Sequence, residues 1–147
     1  MQLTVFSLLL RLIIIAILIY YMSYNPRNDD TLQILEQVVS GMQDKKAKKI
    51  ISLDLSKIPN AVTQHFVICH APSKTQVDAI YDGVLEFVQK QCGVKPFNRE
   101  GYENSEWILI DYVDIVVHIF LEDIRTFYHL EDLWADAKVT SHKSDDE

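Results

Sequence analysis

The chain has 147 residues, 24% of them charged, and a formal net charge of −7. That length suits one domain with a core of its own, and so acidic a chain fits a basic protein partner better than broad contact with nucleic-acid phosphates. Its two cysteines, Cys69 and Cys92, form no C-x-x-C pair, which excludes the usual zinc and redox spacings.

The chain opens on MQLTVFSLLLRLIIIAILIYYM, with Arg11 as its one charge. Residues 1–22 are one apolar segment. Removing 1–21 takes away Arg11 alone and leaves 13 basic against 21 acidic residues, or −8. The run is long enough to span a bilayer, which needs roughly 20 residues. A mid-span charge costs about 2.5–3.5 kcal/mol, which the flanking Leu and Ile offset. A membrane anchor is therefore one reading. A gene start placed too far upstream, with translation beginning at Met22, is another. A signal peptide fits less well, because a basic first region and an A-x-A cleavage site are missing.

Residues 23–30 read as a polar linker. Asp29, Asp30 or Thr31 can cap a helix running to about Ala47, with Leu32, Leu35, Val38, Val39 and Met42 on its apolar face. Lys45, Lys46, Lys48 and Lys49 cluster at its end, either as cations suited to the helix dipole or as a small patch for RNA. KIISLDL (49–55) and HFVICH (65–70) read as strands, separated by a turn at Pro59. Ser73 and Gln76 form a capping-box pattern before a helix whose stripe is Val77, Ile80, Tyr81, Val84 and Val88. Gly93 suits its end, with Pro96 beyond.

FNREGYENSE is a polar connection with room for a short edge strand. WILIDYVDIVVHIF (107–120) reads as a hairpin. Residues 121–137 read as a helix with Ile124, Phe127, Tyr128, Leu130, Leu133 and Trp134 as apolar positions. Residues 138–147 read as a charged, disordered tail. Together these elements predict an α/β (α+β) domain over 31–137, a single mixed β-sheet flanked by helices.

Signals for chemistry are sparse. The histidines at 65, 70, 118, 129 and 142 show no metal-ligand spacing, and no phosphate loop or nucleophile elbow is present. A magnesium-dependent nucleotidyltransferase wants a D-x-D strand, which this chain lacks. No metal, cofactor or small-molecule substrate is expected. The alternative to a binding protein is a nucleotidyltransferase-like enzyme using Asp54, Asp111 or Asp114.

The hairpin has two unlike faces. With Tyr112 and Val113 as its loop, Asp111 opposes Asp114, Leu109 opposes Val116, and Trp107 opposes His118. Ile108, Ile110, Ile115, Val117 and Ile119 then share an aliphatic face that packs on helices. Trp107, Leu109, Asp111, Asp114, Val116 and His118 share the other, with Phe120. An aromatic anchor with a polar rim describes a protein-binding surface. A covering helix is the plainer account of the same face. Tyr-Val is a poor pair for a tight hairpin, so a longer loop and a shifted register are also open.

Three segments, KIISLDLSKIPNAVTQHFVICHAPSKTQVDAI, EGYENSEWILIDYVDIVVHIF and FYHLEDLWADA, together resemble the ribosome silencing factor (Iojap, or RsfS) family, in order over roughly 29–137. The resemblance implies a domain related to nucleotidyltransferases without their catalytic acids, and hence no enzyme. It implies a cytoplasmic factor that binds the large ribosomal subunit through ribosomal protein number fourteen. Bound there, it blocks association with the small subunit and represses translation initiation. Trp107 and Asp111 match the family's interaction residues. A minor contact with ribosomal RNA and a homodimer off the ribosome are further expectations. The chain departs from the family pattern at Gln64-His65, His70-Ala71 and Val113, where an acidic-aromatic pair, Thr-Gly and Gly are common.

Overall fold

Runs of β-branched and aromatic residues set the middle of the sheet, because such side chains suit a pleated surface buried on both faces. The computed structural model describes residues 2–23 and 26–144. The chain divides into two compact units, Met1–Asp30 and Thr31–Glu147.

In the first unit, α1 spans Gln2–Ser23. Its described large apolar side chains, from Val5 to Ile19, stand 48–61% exposed. Among the described residues no helix is long and apolar enough to cross a membrane.

The next helix, α2, spans Pro26–Asp44. The polar stretch expected as a linker to residue 30 is therefore helical from Pro26 onward. Proline suits the first helical position, where its missing N–H is not needed and its φ is already helical.

The second unit is built on a six-stranded mixed sheet in the order β3-β4-β5-β2-β1-β6. Its strands are β1 (Lys48–Asp54), β2 (His65–Ala71), β3 (Asn98–Glu100), β4 (Trp107–Asp111), β5 (Ile115–Leu121) and β6 (Lys138–Ser141). Among the described residues only the β2–β5 pairing is parallel. The mixed architecture is as the patterning predicts. The tail expectation is corrected over its first residues: β6 adds antiparallel to β1, which would otherwise be an open edge. Ser144 and His142 hold the tail further, through bonds to the Ile50 N–H and the Ser52 hydroxyl.

Parity divides the core into two layers. On one face, Val38, Val39 and Met42 of α2 and Val77, Ile80, Val84 and Val88 of α3 (Lys74–Cys92) cover Ile108, Ile110, Ile115, Val117 and Ile119. The α3 boundaries follow from local chemistry. Ser73 accepts from the Gln76 N–H at 3.2 Å, and Gly93 ends the helix at φ +66. The Gln76 side chain does not close a capping box; it reaches the carbonyls of Lys45 and Lys46 instead.

On the other face, Leu53, Leu55, Phe66, Ile68 and Phe120 lie beneath Ile124, Leu130 and Trp134. The single helix expected over 121–137 is two pieces, α4 (Glu122–Tyr128) and a 3-10 segment (Leu130–Trp134). His129 interrupts them at φ +47. That break resets the helical phase. Ile124, Leu130 and Trp134 pack inward, while Phe127, Tyr128 and Leu133 point outward at 77%, 53% and 74% exposure.

The hairpin register differs from the simplest expectation by two residues. Asp111 opposes Val116, Leu109 opposes His118, and Trp107 opposes Phe120. The loop is Val113-Asp114, closed by the Tyr112 N–H donating to the Ile115 carbonyl at 2.8 Å. Val113 sits at φ +74, and the Asp114 N–H donates back to Tyr112, as in a positive-φ γ-turn. A shift of two preserves parity, so the strand residues keep their faces; Asp114 alone leaves the expected set, because it now lies in the loop. Val113 is a branched residue at a glycine-like position and is largely exposed. Val113→Gly is therefore expected to stabilise the fold by about 1 kcal/mol, since relief of a left-handed conformation outweighs the entropy added to the unfolded chain. A higher urea midpoint at unchanged slope would register it.

Candidate functional site: an aromatic surface at one end of the sheet

Trp107 opens β4, and its placement begins with the turn before it. Gly101, at φ +79, accepts the Asn104 and Ser105 N–H groups. A Cβ on Gly101 would collide with the Trp107 carbonyl oxygen. Only glycine lets the β3–β4 turn approach the Trp107 backbone this closely.

The indole is then fixed from β5. Trp107 Nε1–H donates to His118 Nδ1 at 3.0 Å. Its ring lies 4.9 Å from Phe120 and 5.1 Å from Tyr128, centroid to centroid. Phe127 stands edge-on to Tyr128 at 5.1 Å. Trp107, Tyr128 and Phe127 thus form one aromatic surface. Trp107 is half-buried, and the other two are exposed.

His118 itself is buried. Burial lowers its pKa to about 4, only partly opposed by Glu131. The ring is neutral near pH 7, as an acceptor for the Trp107 N–H must be. Because Nδ1 accepts, the proton sits on Nε2, which is buried and has no partner among the described residues. His118 holds Trp107 from beneath through the Nδ1 hydrogen bond.

The α4 segment is pinned to the sheet by Arg125, whose side chain is only 10% exposed. Its Nε–H donates to Glu131 at 2.7 Å, and Nη1 donates to the Lys49 carbonyl at 2.8 Å and to His70 Nδ1 at 2.9 Å. Burial opposes ionisation of Glu131, yet its own backbone N–H and Arg125 hold the carboxyl below its usual range. One guanidinium therefore joins α4, the 3-10 segment, β1 and β2, and so positions Phe127 and Tyr128 beside Trp107.

The other residues expected at the site fall into two groups. Leu109 and Val116 are half-buried on the same face as Trp107. Asp111 lies at the far end of β4, about 13 Å along the strand from Trp107, and Asp114 lies beyond it in the loop. Asp111 Oδ1 accepts the Val113 N–H at 2.7 Å, and Asp114 Oδ2 accepts from the Thr31 hydroxyl at 3.4 Å. Both serve turn and corner geometry here.

Asp54 is held in the same way, accepting from the N–H and hydroxyl of Ser56. Among the described residues no group of three or more His, Cys, Asp or Glu is arranged to hold a metal ion. The Cys69 thiol is fully buried, with a pKa pushed up to about 12 by that burial. A concavity of about 510 Å³ lies elsewhere, between α3 and β3, lined by Leu85, Glu86, Val94 and Arg99.

The residues missed by sequence reasoning are Phe127 and Tyr128. Their spacing suits a helix stripe, so they read as core. The signal that corrects this is the helix break at His129, which nothing in the apolar pattern marks.

Fold and surface together define a small α+β domain that presents an aromatic patch on a rigid sheet. The family described as "Ribosomal silencing factor during starvation" matches residues 28–147, and the chain belongs to it. The ribosomal silencing factor RsfS of Halalkalibacterium halodurans is 40% identical over 105 residues, covering 71% of this chain and 88% of that protein. RsfS of Bacillus subtilis is 38% identical over 104 residues, covering 71% and 86%. A chloroplastic Iojap protein of Arabidopsis thaliana is 41% identical over 75 residues, covering 51% of this chain and 31% of that protein. A crystal structure from Chromobacterium violaceum superposes with a TM-score of 0.66 at 33% identity, covering 77% and 92%. One from Bacillus halodurans gives 0.62 at 39%, covering 70% and 94%.

Proposed function

We propose that the chain binds the large ribosomal subunit through ribosomal protein number fourteen, blocks association with the small subunit, and so represses translation initiation in the cytoplasm. No chemistry is required. The domain occupies a surface that the small subunit must approach, and affinity sets the fraction of silenced subunits. The observation that carries this reading, within the family, is the Trp107–Tyr128–Phe127 surface. Its anchor is locked by His118 and its flank by Arg125, so little freedom is lost on docking. Leu109 and Val116 extend the apolar centre. The acidic charge of the chain complements a basic ribosomal protein. Contact with ribosomal RNA is secondary, and a homodimer off the ribosome belongs to the same proposal.

The test is subunit joining on sucrose gradients. Added protein is expected to co-sediment with large subunits and reduce 70S formation. Trp107→Ala is expected to weaken binding by about 2 kcal/mol, roughly 30-fold, while leaving the fold intact. Unchanged joining, with the protein remaining at the top of the gradient, would sink the proposal.

A further inference from the structure

The geometry points to a phosphate-binding edge beside the aromatic surface: Lys46, Lys48, Lys49 and Lys143 contact the phosphodiester backbone of ribosomal RNA when the domain is docked. This rests on the ribosome reading above and assigns its RNA contact to particular residues.

Two backbone positions carry the argument. Lys46 follows α2 at φ +60, with Ala47 N–H donating to Met42 and Lys46 N–H donating to Gln43. That is a Schellman cap, whose left-handed residue is usually glycine. Lys49 sits at φ +45 where the β1–β2 register slips by one residue. That is a bulge, where glycine again takes the left-handed place. The chain thus carries lysine at two positions that the backbone would fill more easily with glycine, in a molecule whose net charge is −7.

The turn is also held rigid. Gln76 Nε2 donates to the carbonyls of Lys45 and Lys46, and Arg125 donates to that of Lys49. Gln43 Nε2 donates to the carbonyl of Lys143, which brings a fourth cation to the same end. Lys45 is compensated by Asp44 at 3.7 Å and by nearby Glu86. Among the described residues no carboxylate pairs with Lys46, Lys48, Lys49 or Lys143.

Position ties this edge to the aromatic surface. Lys48 pairs with His70, His70 with Phe120, and Phe120 with Trp107. The four residues form one row across adjacent strands, so Lys48 and Trp107 are about three strand spacings apart, about 14 Å. Directly opposed residues share a face, which puts Lys48 on the side of Trp107. A protein docked on Trp107 would bring RNA at its margin within reach of the lysines. Phosphate contact is sequence-independent and salt-sensitive, and each neutralised phosphate adds about 0.7–0.9 to the log–log salt slope.

The test compares the full chain with the Lys46→Gln, Lys48→Gln, Lys49→Gln triple variant. Binding to purified large subunits is measured across a salt series, and binding to isolated ribosomal protein number fourteen in parallel. The triple variant is expected to bind subunits roughly 10-fold more weakly at physiological salt, with a slope lower by about 2. Its affinity for the isolated protein should be unchanged. The matching Lys→Arg triple variant should restore subunit binding and exclude misfolding as the cause. Equal affinity and slope for wild type and the Gln variant would overturn the lysine assignment alone. Wild type that fails to bind subunits at all would overturn the ribosome reading, and this assignment with it.

Discussion

Arg125→Ala is expected to destabilise the domain by about 3 kcal/mol, measured by urea denaturation at pH 7. The guanidinium makes three charge-assisted hydrogen bonds from a largely buried position. Its removal leaves the Glu131 carboxylate, the Lys49 carbonyl and His70 Nδ1 without the donor that now serves them, and half-made buried networks are costly. Arg125→Lys should recover less than half of the loss, because one ammonium cannot reproduce a forked, planar donor. A loss below about 1 kcal/mol for the alanine variant would show that α4 is held by packing alone. The effect should extend to binding, since Phe127 and Tyr128 ride on the segment that Arg125 pins. That makes Arg125 a positioning residue for the surface, with no contact to a partner required of it.

Acid should weaken the fold through His118. Its imidazole has a pKa near 6.5 when the chain is unfolded and about 4 when folded, because burial disfavours the charged ring. Between those values the unfolded chain takes up a proton that the folded one does not. Stability is therefore full above pH 6.5 and falls as the pH drops toward 4, by about 3 kcal/mol over that interval. Protonation would also remove the acceptor for the Trp107 N–H, so acid loosens the anchor as well as the fold. His118→Gln offers a neutral acceptor that does not titrate. Its loss between pH 7 and pH 4 should be smaller than wild type by about 3 kcal/mol. Carboxyls held low in the fold, such as Asp54 and Glu131, contribute the same acid sensitivity to both proteins and cancel in the difference. Parallel pH profiles for the two proteins would show that His118 does not carry it.

Much of this was legible from the chain alone, for definable reasons. Side chains alternate along a strand, so the sequence of β4 and β5 by itself sorted Ile108, Ile110, Ile115, Val117 and Ile119 from Trp107, Leu109, Val116, His118 and Phe120. The observed register slid by two residues without disturbing that sorting, whereas a slide of one would have reversed it on one strand. The α3 helix was equally explicit, because Ser73 and Gly93 end it by local chemistry that needs no tertiary partner. The family, too, was carried by linear motifs.

What only the tertiary structure decided are the contacts made at long range. Strand pairing put Lys48, His70, Phe120 and Trp107 in one row, although they are spread from position 48 to position 120 of the chain. The tail became β6 because β1 offered an unpaired edge, a reason that lies in β1 and not in the polar sequence of the tail. The break at His129 turned Phe127 and Tyr128 outward because Ile124, Leu130 and Trp134 had filled the space over Phe66 and Phe120, and a covered sheet face has room for only one layer of side chains. Periodicity says which residues share a stripe. Which stripe is covered depends on how much surface the rest of the fold leaves for it.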